Sequence, residues 1–200
     1  YGRAHNIALR ESVYDEITYH LVINSDIIVQ SADITSMIAF MDKHKKVGQL
    51  MPRVIYPTGE VQYVAKLLPT PLDVFGRRFL PKRWMSKRNE RYELRSSGYS
   101  HPMNVPYLSG CFMLLRTEAV LQARLFDERY FMYFEDCDLS REVCKRSRLV
   151  YYPDAVVYHE WGRESKKNLK LTPETKSKAI TDKNRINPVP KSGCNIISPK

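Results

Sequence analysis

The chain has 200 residues and a formal net charge of +10, from 32 Lys and Arg side chains against 22 Asp and Glu. With 43% hydrophobic and 27% charged residues, it has the composition of a folded domain, which excludes a disordered chain. No apolar run approaches the roughly 18 residues of a membrane-spanning helix, and no signal peptide is visible. The chain begins at Tyr1, close to what we predict to be a strand-like run, and we expect it to be a piece of a longer protein.

The positive charge is concentrated in two segments. Residues 76–95 carry eight basic side chains against two acidic ones, and residues 163–200 carry ten against three, so the rest of the chain is slightly acidic. Two interpretations remain open for these segments, a solvated surface or a contact with an anionic partner. A nucleic-acid partner is not expected, because base-stacking aromatic motifs are absent from the basic segments.

The first quarter of the chain predicts a strand and a helix. Tyr19–Ile23 is a short apolar run, typical of a buried strand. Apolar residues then recur with helical spacing from residue 34 to residue 41, which predicts an amphipathic helix that begins at Ser31 or Asp33 and ends near Gly48.

The middle of the chain predicts a hairpin, an irregular region and a second strand. Residues 54–63 read as two short strands joined by a turn with Pro and Gly. Residues 66–104 lose periodicity, which predicts a long loop or flap with short helical pieces. Residues 105–116 return to strand character, interrupted at Ser109 and Gly110, where a glycine lets a ligand approach the backbone closely.

The remaining elements complete an α/β pattern. Thr117 begins a short helix, residues 138–146 predict another, and residues 150–158 predict a strand in which Pro153 indicates an edge or a bend. Residues 172–200 have no sustained apolar spacing, and we expect a polar tail that is disordered or foreign to the domain. The order of elements predicts an α/β fold with its chemistry at the ends of strands.

An acidic cluster carries the densest chemical signal. Glu135, Asp136 and Asp138 lie within four residues, directly after the aromatic run 131–134. Crowding and partial burial raise the proton affinity of at least one of them, which suits a general base acting on an alcohol. The alternative is that Asp136 or Asp138 caps the following helix and Glu135 favours its positive end. Capping accounts well for one acid and poorly for three.

Two other candidates directly follow predicted strands. Asp26, in Asn24-Ser25-Asp26, can hold a divalent cation on a diphosphate, or the segment can form an Asx turn. His159 ends the last strand, next to Glu160, and it is either a functional residue or a satisfied core or surface residue. The four cysteines show neither metal-binding nor disulfide spacing, which is typical of thiols in a reducing compartment.

Taken in order, these pieces resemble the family 2 glycosyltransferases of bacterial surface-polysaccharide assembly, in the rhamnosyltransferase-like branch. The resemblance covers residues 1–171. It rests on GRAHNIA at 2–8, HLVINSD at 20–26, the hairpin with VQ at 61–62, LSGCFML at 108–114, FDERYFMYFEDCDL at 126–139 and YPDAVVYH at 152–159. Single motifs of this kind are weak, whereas the ordered set with its acidic cluster is specific.

The resemblance implies a GT-A-like α/β fold, with a mixed central sheet and flanking helices, that lacks the N-terminal Rossmann-like strands of the family. Residues 1–171 would then be the C-terminal catalytic part of a glycosyltransferase domain. It implies inverting transfer of a sugar from a nucleotide-diphosphate donor to a hydroxyl of a glycan or a lipid-linked acceptor. We expect a cytoplasmic location with peripheral contact at the anionic inner face of the membrane, made by the basic residues of 76–95 and 163–170.

The resemblance also implies a role for each candidate residue. Asp136 resembles the base that deprotonates the acceptor, and Glu135 resembles the residue that orients it. Asp26 and His159 resemble the ligands of Mg²⁺ or Mn²⁺, although Asn24 replaces the first acid of the usual DXD motif. The donor side would comprise Asn6, Asn24, Asp26, Ser109 and Gly110, and the acceptor side Trp161, Arg163 and Asp138.

One competing interpretation belongs to another class of protein. A remnant of such an enzyme can keep the fold and the acidic cluster yet serve as a non-catalytic binding module, because its donor pocket is incomplete. Titration with nucleotide diphosphates and Mn²⁺ separates the two.

Overall fold

The computed structural model describes residues 1–130 and 134–160, apart from the side chains of Arg77, Arg78 and Lys82. The helices of this part are α1 (Gly2–Tyr14), α2 (Ser31–Lys43), α3 (Pro71–Phe79), α4 (Lys82–Tyr92), α5 (Thr117–Gln122) and α6 (Glu135–Cys144). Its strands are β1 (Tyr19–Ile23), β2 (Ile27–Ile28), β3 (Val47–Ile55), β4 (Ala65–Lys66), β5 (Met103–Asn104), β6 (Tyr107–Leu108), β7 (Phe112–Arg116) and β8 (Arg148–His159). None of these helices is both long enough and apolar enough to cross a bilayer.

The main sheet has the strand order β1-β7-β3-β8-β2, with β5 also paired to β8. Its central pair, β3 and β8, is parallel, and the other pairs are antiparallel. Helices α2, α5 and α6 pack against this pair. Leu50, Val54, Val150 and Val157 are therefore fully buried, as expected for parallel strands covered on both faces. The mixed sheet with flanking helices confirms the predicted α/β architecture.

The antiparallel and parallel pairings bring one set of strand ends to a common edge. β1 and β7 run antiparallel, so the last residue of β1, Ile23, pairs with the first residue of β7, Phe112. β3 and β8 run parallel and end together, where Ile55 pairs with Tyr158. The segments after β1, β3 and β8 and the segment before β7 consequently meet at this edge.

Pro153 lies at a bend in β8. The sequence predicted either an edge or a bend at this proline. The register between β3 and β8 jumps from Pro52 opposite Tyr152 to Arg53 opposite Val156. A proline has no backbone N–H to donate, so the break in the ladder at this point costs no hydrogen bond at Pro153.

The start of the chain differs from the prediction of a strand-like run. Residues 2–14 form α1, whose buried positions Gly2, Asn6 and Leu9 share one helical face. Gly2 packs so closely on Phe126 that a Cβ at Gly2 would lie 3.0 Å from the Phe126 Cβ. The inward face is made of a glycine, an amide and one leucine, so apolar periodicity alone did not reveal the helix.

The predicted end of the second helix near Gly48 is also wrong. α2 ends at Lys43, and Gly48 lies inside β3. A Cβ at Gly48 would lie 2.6 Å from the Ser147 Cβ and 2.9 Å from the Ala119 Cβ. The glycine therefore permits close packing of neighbouring elements on the strand and does not cap a helix.

Residues 66–104 are more regular than the loop or flap that we predicted. They contain α3 and α4, which pack together as a helical hairpin. α3 begins with a capping box in which Thr70 and Asp73 exchange hydrogen bonds. Asp73 also accepts a hydrogen bond of 2.6 Å from Arg88 of α4, which joins the two helices.

Candidate functional site

A cleft of about 940 Å³ opens at the edge of the sheet where these strand ends meet. It contains seven of the candidate residues, drawn from four separate stretches of sequence. They are Asn24, Asp26, Ser109, Gly110, Glu135, Asp136 and His159. The fold thus brings the expected base, the expected metal ligands and most of the expected donor side into one site.

Three hydrogen-bond donors hold the carboxylate of Asp136. Its Oδ2 accepts from the backbone N–H of Gly110 at 2.8 Å and from the hydroxyl of Tyr107 at 3.0 Å. Its Oδ1 accepts from the N–H of Cys137 at 2.8 Å. Burial raises the pKa of the Tyr107 hydroxyl well above its usual value, and the nearby Asp136 carboxylate raises it further. Tyr107 therefore remains a proton donor. These contacts fix the orientation of the carboxylate in the cleft wall.

Gly110 approaches Asp136 so closely that a side chain at this position would crowd the carboxylate. A Cβ at Gly110 would lie 3.1 Å from the Asp136 Cβ and 3.3 Å from its Oδ2. The carbonyl oxygen of Gly110 accepts a hydrogen bond of 2.9 Å from the hydroxyl of Tyr1. We expected the glycine to admit a ligand, and what it admits in the structure is the carboxylate of Asp136.

The capping interpretation of the acidic cluster is wrong. The N-cap of α6 is Phe134, with a left-handed φ of 69°, and no side chain caps the helix. Glu135, Asp136 and Asp138 all lie in the first turn, where the helix dipole favours negative charge. The helix therefore begins at Glu135, three residues before the predicted start.

Glu135 is buried in the cleft wall with an unsatisfied acceptor. Its side chain is only 8% exposed, and no described residue donates a hydrogen bond to its Oε2. A buried acceptor without a partner costs about 1–3 kcal/mol, which a ligand hydroxyl in the cleft would recover. This atom is a candidate contact for a bound molecule.

Asp26 and His159 face each other across the pairing of β2 with β8. Ile27 lies opposite His159 in this pairing, and the Oδ1 of Asp26 lies 3.3 Å from the Nε2 of His159. A backbone hydrogen bond from Ile27 to Asn24 closes the turn before β2. The segment therefore forms a turn, as one interpretation had it, and this turn places Asp26 at the cleft.

Gln62 determines which nitrogen of His159 is available. Its Nε2 donates to the carbonyl of His159 at 2.9 Å, so its Oε1 faces the ring and is 3.0 Å from Nδ1. This arrangement assigns the proton to Nδ1 and leaves the Nε2 lone pair directed at Asp26. Burial lowers the pKa of His159, and the Asp26 carboxylate partly opposes this effect, so the neutral ring is favoured.

The pair fits a divalent cation. The Nε2 of His159 is buried without a hydrogen-bond partner among the described residues, and a carboxylate oxygen lies beside it. A carboxylate oxygen suits both Mg²⁺ and Mn²⁺, whereas a neutral imidazole nitrogen is a ligand of transition-metal ions, so the pair fits Mn²⁺ better than Mg²⁺. No group of three His, Cys, Asp or Glu side chains suited to a metal exists within residues 1–130 and 134–160. Substrate oxygens would therefore complete the coordination.

The cleft as a whole is acidic. It is lined by five carboxylates, Asp26, Glu60, Glu93, Glu135 and Asp136, and by two basic side chains, Lys66 and Arg95. Arg95 is held in place by Glu93 at 2.6 Å and stacks 4.4 Å from the centre of the Tyr63 ring. An anionic ligand such as a diphosphate would need added positive charge to bind here.

Two candidates lie elsewhere in the fold. Asn6 is 1% exposed and exchanges hydrogen bonds with the backbone of Phe126, at 2.9 Å in each direction. It joins α1 to the segment after α5 and does not line the cleft. Asp138 pairs with Arg141 at 3.1 Å and lines a separate pocket of about 500 Å³. Neither residue lines the cleft, and the expected donor role of Asn6 and acceptor role of Asp138 remain predictions.

The last two candidates and the tail are outside the described residues. Trp161 and Arg163 follow residue 160, as do the basic residues of 163–170 and the expected tail at 172–200. Their expected roles remain predictions.

The fold and the cleft together define an α/β protein with an acidic cleft at the ends of its central strands. Residues 11–185 match the family model described as Glycosyltransferase like family 2. The chain belongs to this family, which confirms the resemblance seen in its motifs. The match extends beyond residue 171, where we expected the domain to end.

The chain is 32% identical over 146 residues to the N-acetylglucosaminyl-diphospho-decaprenol L-rhamnosyltransferase of Mycobacterium tuberculosis, in strains CDC 1551 / Oshkosh and ATCC 25618 / H37Rv. These matches cover 70% of this chain and 46% of the relatives, so the chain spans about half their length. A crystal structure of GalNAc-T7 with UDP, GalNAc and Mn²⁺ aligns with a TM-score of 0.49 at 13% identity, over 88% of this chain and 35% of that one.

Proposed function

We propose that this protein transfers a sugar from a nucleotide-diphosphate donor to a hydroxyl group, with inversion at the anomeric carbon. The observation that carries the proposal is that one cleft holds both the oriented carboxylate of Asp136 and the Asp26–His159 pair. Membership of the glycosyltransferase family supports the class of reaction. A base on one side and a cation position on the other are what displacement of a diphosphate requires.

Asp136 would act as the general base. Its Oδ2 already accepts two hydrogen bonds, whereas Oδ1 accepts one and keeps a lone pair for the acceptor. As the acceptor oxygen bonds to the anomeric carbon, its proton passes to Oδ1 of Asp136. The bond between that carbon and the diphosphate breaks, and the electron pair leaves with the phosphate oxygen. Glu135 would accept a hydrogen bond from the acceptor at its unpaired Oε2 and so orient it.

Asp26 and His159 would hold Mg²⁺ or Mn²⁺ through Oδ1 and Nε2. The cation supplies charge that neutralises the diphosphate as it leaves. Gln62 keeps the Nε2 lone pair of His159 directed at this position. Ser109, Gly110 and Asn24 line the same cleft and would contact the donor.

The name of the similar proteins supports a class of acceptor for this chain. The name of the mycobacterial relatives specifies rhamnosyl transfer to a sugar carried on a lipid diphosphate. For this chain we propose a glycan or lipid-linked acceptor and a cytoplasmic site of action, peripheral to the membrane. Residues 1–171 would supply the catalytic part of the domain.

The test is a transfer assay with defined substrates. The protein is incubated with a panel of nucleotide-diphosphate sugars, Mn²⁺ and a lipid-linked diphospho-sugar acceptor, and released nucleoside diphosphate is measured. Release that requires both the acceptor and the cation supports the proposal. Nucleotide binding without release favours the alternative of a non-catalytic binding module.

A further inference from the structure

The α3–α4 hairpin presents large apolar side chains to solvent. Phe75, Phe79 and Trp84 are 62%, 72% and 67% exposed. Phe79 is the last residue of α3 and Trp84 the third of α4, so both lie at the turn between the helices. Leu72 and Leu80 extend this apolar tip, with exposures of 49% and 38%.

The hairpin does not need these side chains to hold its two helices together. Between the helices, Arg88 donates to Asp73 at 2.6 Å and to the Thr70 hydroxyl at 2.7 Å. Gly76 of α3 lies against Met85, since a Cβ at Gly76 would be 3.0 Å from the Met85 sulfur. The outward aromatic residues are thus not needed for the packing of the hairpin, and large exposed apolar side chains grouped around one turn mark an interaction surface.

A row of cations accompanies the apolar tip. Arg83, Lys87 and Arg91 are exposed and recur every four residues, so they lie along one side of α4. Glu90 is the exposed acidic residue of this helix. Aromatic and aliphatic side chains beside a row of cations match an anionic bilayer, where rings enter the interface and cations contact lipid phosphates. The exposed leucines favour this partner over a nucleic acid, which offers no hydrocarbon layer.

We propose that the α3–α4 hairpin is an interfacial anchor that inserts Phe75, Phe79 and Trp84 into the boundary of an anionic membrane. The cleft lies at the opposite end of α4 from the apolar tip, because Glu93 and Arg95, which directly follow this helix, line the cleft. Docking would present the cleft to molecules embedded in the bilayer. The relevance to a lipid-linked acceptor rests on the proposed function, whereas membrane binding itself does not.

A single-tryptophan reporter tests insertion directly. The chain contains two tryptophans, so Trp161→Phe leaves Trp84 as the reporter in the otherwise unchanged 200-residue chain. With vesicles of phosphatidylglycerol and phosphatidylcholine, its fluorescence should shift to shorter wavelength, and with phosphatidylcholine alone the shift should be much smaller. An unchanged spectrum with anionic vesicles overturns the proposal. This reading needs no variant of the anchor.

Vesicle sedimentation tests the named side chains. Replacing Phe75, Phe79 and Trp84 by Ser should weaken binding to anionic vesicles about tenfold or more. The matched control Tyr14→Ser, at a position 87% exposed on α1, should leave binding unchanged. Equal binding by the triple variant and the unaltered protein overturns the proposal. If the unaltered protein is a dimer and the triple variant is a monomer, the patch is a contact with a second copy of the chain. This result also overturns the proposal.

A charge-reversal pair tests the cations. Arg83, Lys87 and Arg91 changed to Glu should abolish binding to anionic vesicles. The same change at Lys43, Lys46 and Arg148, which are also exposed, alters the net charge equally and should weaken binding far less. Equal losses in both triple variants, or nucleic-acid binding tighter than vesicle binding, count against the anchor. If Asp136→Asn loses transfer but still binds anionic vesicles, membrane binding by the anchor does not depend on the proposed catalysis.

Discussion

Gly110 and Asp136 are in direct contact at the cleft wall, where the Gly110 N–H donates to the Asp136 Oδ2 at 2.8 Å. The two residues are 26 positions apart, and a Cβ at Gly110 would crowd the Asp136 side chain at 3.1 Å. This contact connects the start of β7 to the start of α6 and orients the carboxylate to which we assign the central chemical role.

Gly110→Ala should impair turnover more than donor binding. The added Cβ would lie 3.1 Å from the Asp136 Cβ, so the carboxylate must shift. A misplaced base slows the chemical step, and we expect kcat to fall about tenfold or more while donor affinity changes little. Steady-state kinetics and calorimetric titration with the donor measure the two effects. A kcat equal to that of the unaltered protein would show that this contact does not position the base.

The stability of the protein should depend on pH through His159. Burial lowers its pKa in the folded state, so the unfolded chain binds the proton more readily. This contribution to the unfolding free energy is present above the ordinary histidine pKa of about 6.5 and is lost as the pH falls below it. We expect the unfolding free energy to decrease less between about pH 7 and pH 5 in His159→Asn than in the unaltered protein. Urea unfolding without metal measures this difference.

Other histidines of the chain serve as controls for this measurement of stability against pH. Burial also lowers the pKa of His5 and His20, which contribute a slope of the same sign in both proteins. His101 is exposed to solvent, and His101→Asn is the matched control that should keep the slope of the unaltered protein. Identical slopes for His159→Asn and the unaltered protein would show that the buried imidazole of His159 does not contribute to the pH dependence of stability.

Removal of the cation should stop turnover. Chelation with EDTA should abolish transfer, and added Mn²⁺ should restore it. Asp26→Asn should weaken Mn²⁺ binding in the presence of a nucleoside diphosphate about tenfold or more, read directly by electron paramagnetic resonance. Asp154→Asn, at an exposed position of β8, is the matched control and should bind Mn²⁺ normally. Transfer that persists in EDTA contradicts the assignment of Asp26 and His159.

Asn6→Ala should destabilise the protein without a specific effect on donor binding. The buried amide bonds the backbone of Phe126 in both directions, and its loss leaves those groups unpaired. We expect a loss of about 2–4 kcal/mol in unfolding free energy, against less than about 0.5 kcal/mol for Gln122→Ala on the exposed side of α5. A large, selective loss of donor affinity at unchanged stability would restore Asn6 to the donor site.

The sequence located much of the site because its residues follow strands. Asp26 and His159 each come at the end of an apolar run, and strand ends collect at one edge of such a sheet. Neither segment indicated that Asp26 and His159 face each other, because this contact depends on the register of β2 against β8. Gln62 and Tyr107 were missed as functional residues for a related reason. Their roles arise from contacts between residues distant in sequence, which local pattern does not carry.

The helices that the sequence missed bury few apolar residues. α1 buries Gly2, Asn6 and Leu9, so its apolar face is too narrow to be recognised from periodicity. In the α3–α4 hairpin the helices are joined by a salt bridge and by the contact of Gly76 with Met85, and the largest apolar side chains are exposed. Apolar spacing predicts a helix when its apolar face lies on a core, and neither region satisfies that condition.

The most direct test of the account is the turnover of Asp136→Asn measured together with its donor binding. Asn keeps the size of the side chain but cannot take the acceptor proton, so we expect turnover to fall at least about 100-fold while the donor still binds with Mn²⁺. Asp154→Asn serves as the matched control and should turn over normally. Turnover by Asp136→Asn equal to that of the unaltered protein would contradict the assignment of Asp136 as the base, and with it the proposed mechanism.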